Sequence, residues 1–174
     1  MRSNIIKYTF LVLSVLFLWI DNVDAQTKCD ESCNYEFVEK NDSLVELRVS
    51  INGMNATADY YSRTNKEENI PIPKFQGRYK DCLLFMLGYG QHFRLLITFQ
   101  ANNGKIIKED YEHSMCLDSN GKEAYLFFYN EQPIKMEYDY RTSTVKFKKL
   151  RNSRKYNSLK GKVIESCENN FSSL

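Results

Sequence analysis

The sequence predicts an all-β fold, either a small disulfide-stabilised sandwich or a partly closed antiparallel barrel. Three observations carry this expectation: apolar and polar residues alternate in three runs, Asn-Gly pairs punctuate the chain, and its 174 residues include 12 tyrosines and 11 phenylalanines. Aromatic residues suit a pleated, half-buried surface. Leu44 to Asn52 sets Val45, Leu47, Val49 and Ile51 against Glu46, Arg48, Ser50 and Asn52. Phe93 to Gln100 opposes Phe93, Leu95, Ile97 and Phe99 to Arg94, Leu96, Thr98 and Gln100, and Ile134 to Tyr140 opposes Ile134, Met136, Tyr138 and Tyr140 to Lys135, Glu137 and Asp139. A period of two places each set on one face of a strand, whereas a helix would scatter it around its circumference. The first of each pair of sets, up to Tyr138, is the expected core.

Asn52-Gly53, Asn103-Gly104 and Asn120-Gly121 tolerate the positive φ of tight hairpin turns. Hairpins are therefore expected at 44–51/54–61, 93–100/105–112 and 134–140/144–150, with a further strand from Ala124 to Tyr129. The prolines of Asn69-Ile70-Pro71-Ile72-Pro73-Lys74 impose an extended segment that cannot donate a full ladder, so it is an edge or a connector. Only 36–40 and 157–165 leave room for a short helix.

The N-terminus reads as targeting. Arg2 and Lys7 flank the apolar run Tyr8 to Ile20, which falls short of the about 20 residues of a membrane-spanning helix. Val23 and Ala25 then put small side chains at the two positions a signal peptidase inspects. Residues 1–25 are accordingly expected to be a cleaved signal peptide and 26–174 a single β-rich secreted domain, extracellular in location and of ordinary domain length. No second long apolar stretch follows and Asn169 to Leu174 is polar, so no transmembrane anchor is expected.

Export makes two further features informative. Cys29, Cys33, Cys82, Cys116 and Cys167 all lie after the leader, where an oxidising lumen pairs cysteines. Five is odd, which leaves one for a disulfide-linked homodimer or a buried thiol. Cys82 with Cys116 would bracket the most apolar hairpin, and Cys167 with Cys29 or Cys33 would tie the two ends together. Asn41-Asp42-Ser43, Asn55-Ala56-Thr57 and Asn170-Phe171-Ser172 are acceptor sequons without a central proline, so Asn41, Asn55 and Asn170 are expected to carry N-glycans.

Catalytic signals are weak. His92 and His113 are the only histidines, both are read as surface residues near loops, and no G-x-S-x-G turn exposes a serine. The Cys29/Cys33 pair has no second pair at metal-ligand spacing, so neither metal nor cofactor is expected. The most biased feature is basic: Lys146, Lys148, Lys149, Arg151, Arg154, Lys155, Lys160 and Lys162 stand in a stretch without one acidic residue, in a chain of net charge only +2. Such a segment suits an anionic glycan or an acidic protein surface, and export removes nucleic acid as a partner.

Two resemblances supply alternatives. An aromatic-rich secreted β chain is similar in outline to lipocalin-like carriers of a small apolar ligand, although the Gly-x-Trp signature is absent and Phe75-Gln76-Gly77-Arg78-Tyr79 replaces it only distantly. Cys82-Leu83-Leu84-Phe85-Met86-Leu87-Gly88, Leu95-Leu96-Ile97-Thr98-Phe99, Cys116, Ala124-Tyr125-Leu126-Phe127-Phe128, Val145-Lys146-Phe147 and Tyr156-Asn157 together resemble the first half of the luminal domain of lysosome-associated membrane glycoproteins. That resemblance implies a cysteine pair around a β hairpin. It covers residues 78–157, needs an insertion after Cys82, and lacks the second half and the anchor. The reading from the residues themselves is a non-enzymatic secreted binding module for an extracellular protein, a glycan or a small apolar ligand, with a secreted enzyme using His92 or His113 as a further alternative.

Overall fold

The computed structural model describes residues 23–24, 32–61, 72–89, 93–114, 120–151, 156 and 164–165. These residues form strands β1 (Val23–Asp24), β2 (Cys33–Asn41), β3 (Leu44–Ile51), β4 (Met54–Tyr61), β5 (Lys74–Tyr79), β6 (Cys82–Tyr89), β7 (Phe93–Asn102), β8 (Lys105–Ser114), β9 (Lys122–Tyr129), β10 (Gln132–Asp139), β11 (Thr144–Lys149) and β12 (Ile164–Glu165). They assemble into three sheets ordered β12-β8-β7-β6-β5, β1-β11-β10-β9 and β2-β3-β4. Pairing is antiparallel except where the short β12 runs parallel to β8. Among the described residues no helix is long and apolar enough to cross a membrane.

The expected hairpins are β3–β4, β7–β8 and β10–β11. Asn52 and Gly53 turn the first with φ of 51° and 78°, and Asn103 and Gly104 turn the second with 50° and 78°, the double positive φ that matches strand twist. Gly121 instead precedes β9, and the β9–β10 turn is made by Asn130 and Glu131 at φ 47° and 62°. That turn contains no glycine and so carries no sequence signal. Residues 36–40 are strand rather than helix: Tyr35 and Phe37 pack inward from β2 while Asn34 and Glu36 are exposed, a period of two. Of 157–165, only the two residues of β12 are described, and they too are strand. Pro73 directly precedes β5, which is an edge of its sheet, as its missing N–H requires.

The expected two-layer sandwich or partly closed barrel gives way to three layers, and no sheet closes on itself. The reason lies in β6 and β7. Leu83 and Phe85 of β6, with Ile97 and Phe99 of β7, pack against Cys33, Leu47, Val49 and Ile51 of β2 and β3. Their neighbours Cys82, Leu84, Met86 and Leu96 point the other way, into a second cluster with Tyr125, Phe127, Ile134, Met136 and Phe147 of β9 to β11. The five-stranded sheet is therefore buried on both faces, and the residues opposed to Phe93–Phe99 that were read as a polar face are core as well. Phe93 itself, the first residue of β7, is exposed at 36%. Each large apolar side chain so buried contributes about 1.5–3 kcal/mol.

Candidate functional site

Strand β11 separates its residues by burial. Val145 and Phe147 face the core, whereas Thr144, Lys146 and Lys148 are exposed on the outer face of the β1-β11-β10-β9 sheet, with Lys149 and Arg151 exposed beyond. Lys146 and Lys148 project from one face about 6.6–6.8 Å apart along the strand. On β10, Lys135 stands opposite Lys148 and Glu137 opposite Lys146. Lys135 Nζ is 2.8 Å from Glu137 Oε1, which relieves the like-charge opposition that would otherwise cost stability. Glu137 of β10 and Asp24 of β1 are both register partners of Lys146, whereas Lys148 and Lys149 have no acidic register partner among the described residues. None of Lys146, Lys148, Lys149 or Arg151 forms an ion pair among the described residues. Arg154, Lys155, Lys160 and Lys162 lie outside those residues.

Two sequons are described, and they differ. Asn41 ends β2, and its Oδ1 accepts from Ser43 N and Ser43 Oγ, each at 3.0 Å. Asn55 lies inside β4, opposite Ser50. Both are exposed and stand beside the two ends of β3. Asn170 lies outside the described residues. Cys33 and Cys82 carry free, buried thiols, and burial pushes the Cys82 thiol up. The Cys82 side chain enters the core beneath the β9–β11 sheet, and the bridges expected for Cys82 and Cys33 are not formed: both thiols are free and surrounded by apolar packing. Cys29, Cys116 and Cys167 lie outside the described residues.

His113 is not a surface residue. Because β8 continues to Ser114, His113 lies two residues beyond Tyr111 on the same face and is fully buried. It meets Tyr125 edge-on, with ring centroids 5.2 Å apart, and neither ring nitrogen has a hydrogen-bond partner. Burial pulls its pKa down to about 4, against a weaker opposing effect of the Leu126 backbone. His92 lies outside the described residues.

Beside His113 is a constellation that no local sequence pattern signals. Glu123 is 1% exposed; its Oε2 accepts from the Tyr125 hydroxyl and, at 2.5 Å, from the Tyr140 hydroxyl, while Oε1 has no partner. Arg94 of β7 stands opposite His113 in the register of the five-stranded sheet. Burial, and then the hydrogen bond to Glu123, push the Tyr125 hydroxyl up. These hydrogen bonds tie β9 to the turn that follows β10. His113, which touches Tyr125, is buried without a hydrogen-bond partner for either ring nitrogen.

The described residues contain no group of three or more His, Cys, Asp or Glu side chains placed to hold a metal ion. Their clefts are shallow and polar-edged: one of about 260 Å³ on the outer face of β2-β3-β4 and one of about 200 Å³ between Thr98, Gln100, Glu109 and Asn130. Both are below the about 300–1,000 Å³ usual for small-molecule pockets. What the fold and its surface define is a three-layered, largely antiparallel β protein with a basic strand on one outer face and the Asn55-Ala56-Thr57 sequence on the other. No protein-family model, no curated protein and no solved structure matches the chain.

Proposed function

We propose that the chain is an exported, N-glycosylated, non-enzymatic binding domain that engages an anionic extracellular glycan through β11 and the residues that follow it. The observation that carries this reading is the set of exposed, unpaired cations Lys148, Lys149 and Arg151 at the end of a strand whose other face is fixed in the core through Val145 and Phe147. A linear polyanion matches cations spaced along an extended strand, and rigid presentation lowers the ordering cost of binding. The filled cores between the sheets favour surface recognition over the small-ligand carrier, and the burial of His113 weighs against the enzyme.

Exposed charges are screened over about 8 Å at physiological ionic strength, so such binding weakens as salt rises. The secreted protein should bind a heparin column and elute with added salt. A Lys148→Ala/Lys149→Ala/Arg151→Ala variant should elute at clearly lower salt with an unchanged far-ultraviolet spectrum. Equal elution of the two proteins would refute the assignment of β11. Failure to bind heparin, with binding to an acidic protein surface instead, would move the partner to the other anionic class.

A further inference from the structure

The outer face of the β2-β3-β4 sheet holds the cleft of about 260 Å³, and its polar wall is made by Asn34, Glu36, Arg48, Ser50, Asn55 and Thr57. The register explains the grouping: Ser50 pairs with Asn34 on one side and Asn55 on the other, and Arg48 pairs with Glu36 and Thr57. Asn55 and Thr57, two residues apart on a strand, therefore rise from the same face and are both exposed. They are also the first and last residues of an acceptor sequon. Arg48 is held in place by Glu46 at 2.6 Å and Glu36 at 3.1 Å, which uses two of its five donors.

We infer that this cleft is the seat of the first N-acetylglucosamine of an N-glycan on Asn55. The inference rests on the reading that the chain is exported and glycosylated. In the transfer, a lipid-linked oligosaccharide is the co-reactant: Asn55 Nδ2 bonds to C1 of the sugar, the bond from C1 to the lipid pyrophosphate oxygen breaks, and Nδ2 gives up one proton. The sugar's acetamide and hydroxyls, each able to donate and accept, then face the amides of Asn34, the hydroxyls of Ser50 and Thr57, and the guanidinium of Arg48. Asn41 has no such wall; it ends a strand, with its amide oxygen turned to its own Ser43, and a glycan there projects into solvent. A seated glycan also covers the face opposite β11 in the three-layer stack, leaving the basic strand open.

The test uses the protein secreted from a eukaryotic host, with occupancy at Asn41 and Asn55 read by peptide mass mapping. The native glycoprotein is then treated with the amidase that removes whole N-glycans. Release from Asn55 should be about five- to tenfold slower than from Asn41, the ratio that one or two net hydrogen bonds produce. Asn55→Gln, and independently Thr57→Ala, which spares the asparagine, should each lower the melting temperature by about 2–4 °C, while Asn41→Gln should not. An endoglycosidase that leaves one N-acetylglucosamine on Asn55 should preserve the wild-type melting temperature. Equal release rates with equal melting temperatures would overturn the seat, as would occupancy of Asn41 with Asn55 bare. A protein without sugar at either site would overturn the glycosylation reading itself, and the seat with it.

Discussion

The two faces of the central five-stranded sheet are both buried, yet they are built on different physics. Toward β2-β3-β4 the interface is apolar and largely aromatic: Phe85 meets Tyr35, Phe37, Phe75 and Phe99 at centroid distances of 5.2, 6.4, 5.4 and 5.8 Å, all edge-on. Toward β9 to β11 the core also contains Thr98, Gln100, His113 and Glu123. Apolar packing is non-directional and tolerates sliding as long as volume is conserved. Buried polar groups do not tolerate it, because each one that loses its partner costs free energy. The aromatic face should thus supply more of the stability, and the polar face more of the registration between the sheet that presents β11 and the rest of the molecule.

The largest expected effect falls on the aromatic face. Phe85→Ala removes a fully buried ring with four aromatic neighbours and should cost about 3–5 kcal/mol, read as a lower denaturation midpoint at constant m-value. A cost below about 1 kcal/mol would mean that the two sheets are not packed there. On the polar face, Glu123→Gln keeps the shape and loses the charge that accepts from Tyr125 and Tyr140, with an expected cost of about 1–3 kcal/mol. Combining it with Tyr140→Phe should be clearly non-additive, and additive losses would argue that the two groups do not share one network. Smallest of all, the triple replacement of Lys148, Lys149 and Arg151 by alanine should change stability by less than about 0.5 kcal/mol while still shifting heparin elution. A large loss of stability would recast these cations as structural.

What was legible in the sequence follows the same division. Hairpins β3–β4 and β7–β8 could be read because alternation and Asn-Gly turns are local properties, and both appear in the structure at the expected places. Strand β6 showed no alternation, since Cys82 to Leu87 is apolar throughout, as a strand buried on both faces must be. For the same reason Leu96, Thr98 and Gln100 looked like an outer face and are core. The cations after Val145 were visible as composition, but which acidic groups stand beside them depends on the register with the neighbouring strands. The Arg94, His113, Glu123, Tyr125 and Tyr140 constellation was not legible at all. Its members come from four strand regions that meet only when the sheets stack.

Stability of the secreted protein against pH, compared between wild type and His113→Phe, bears most directly on the claim that the second face buries a neutral His113 among its polar groups. Phe keeps the edge-on contact with Tyr125 and cannot take a proton; His113→Leu serves as a second comparison should Phe overfill the site. His113 stands opposite Arg94 of β7, shares its strand face with Tyr111 and meets Tyr125 of β9, which itself donates to Glu123; these groups are unchanged in the variants, so their contribution largely cancels in the difference. With a folded pKa of about 4 against about 6.5 in the unfolded chain, the unfolded chain binds a proton that the native protein does not between those values. Wild-type stability relative to the variant should therefore be unaffected above pH 6.5, fall by about 3 kcal/mol in total as pH drops to about 4, and level off below. Curves that run parallel from pH 7 to pH 4 would contradict the burial of a neutral His113, and with it the polar closure of the β9 to β11 sheet.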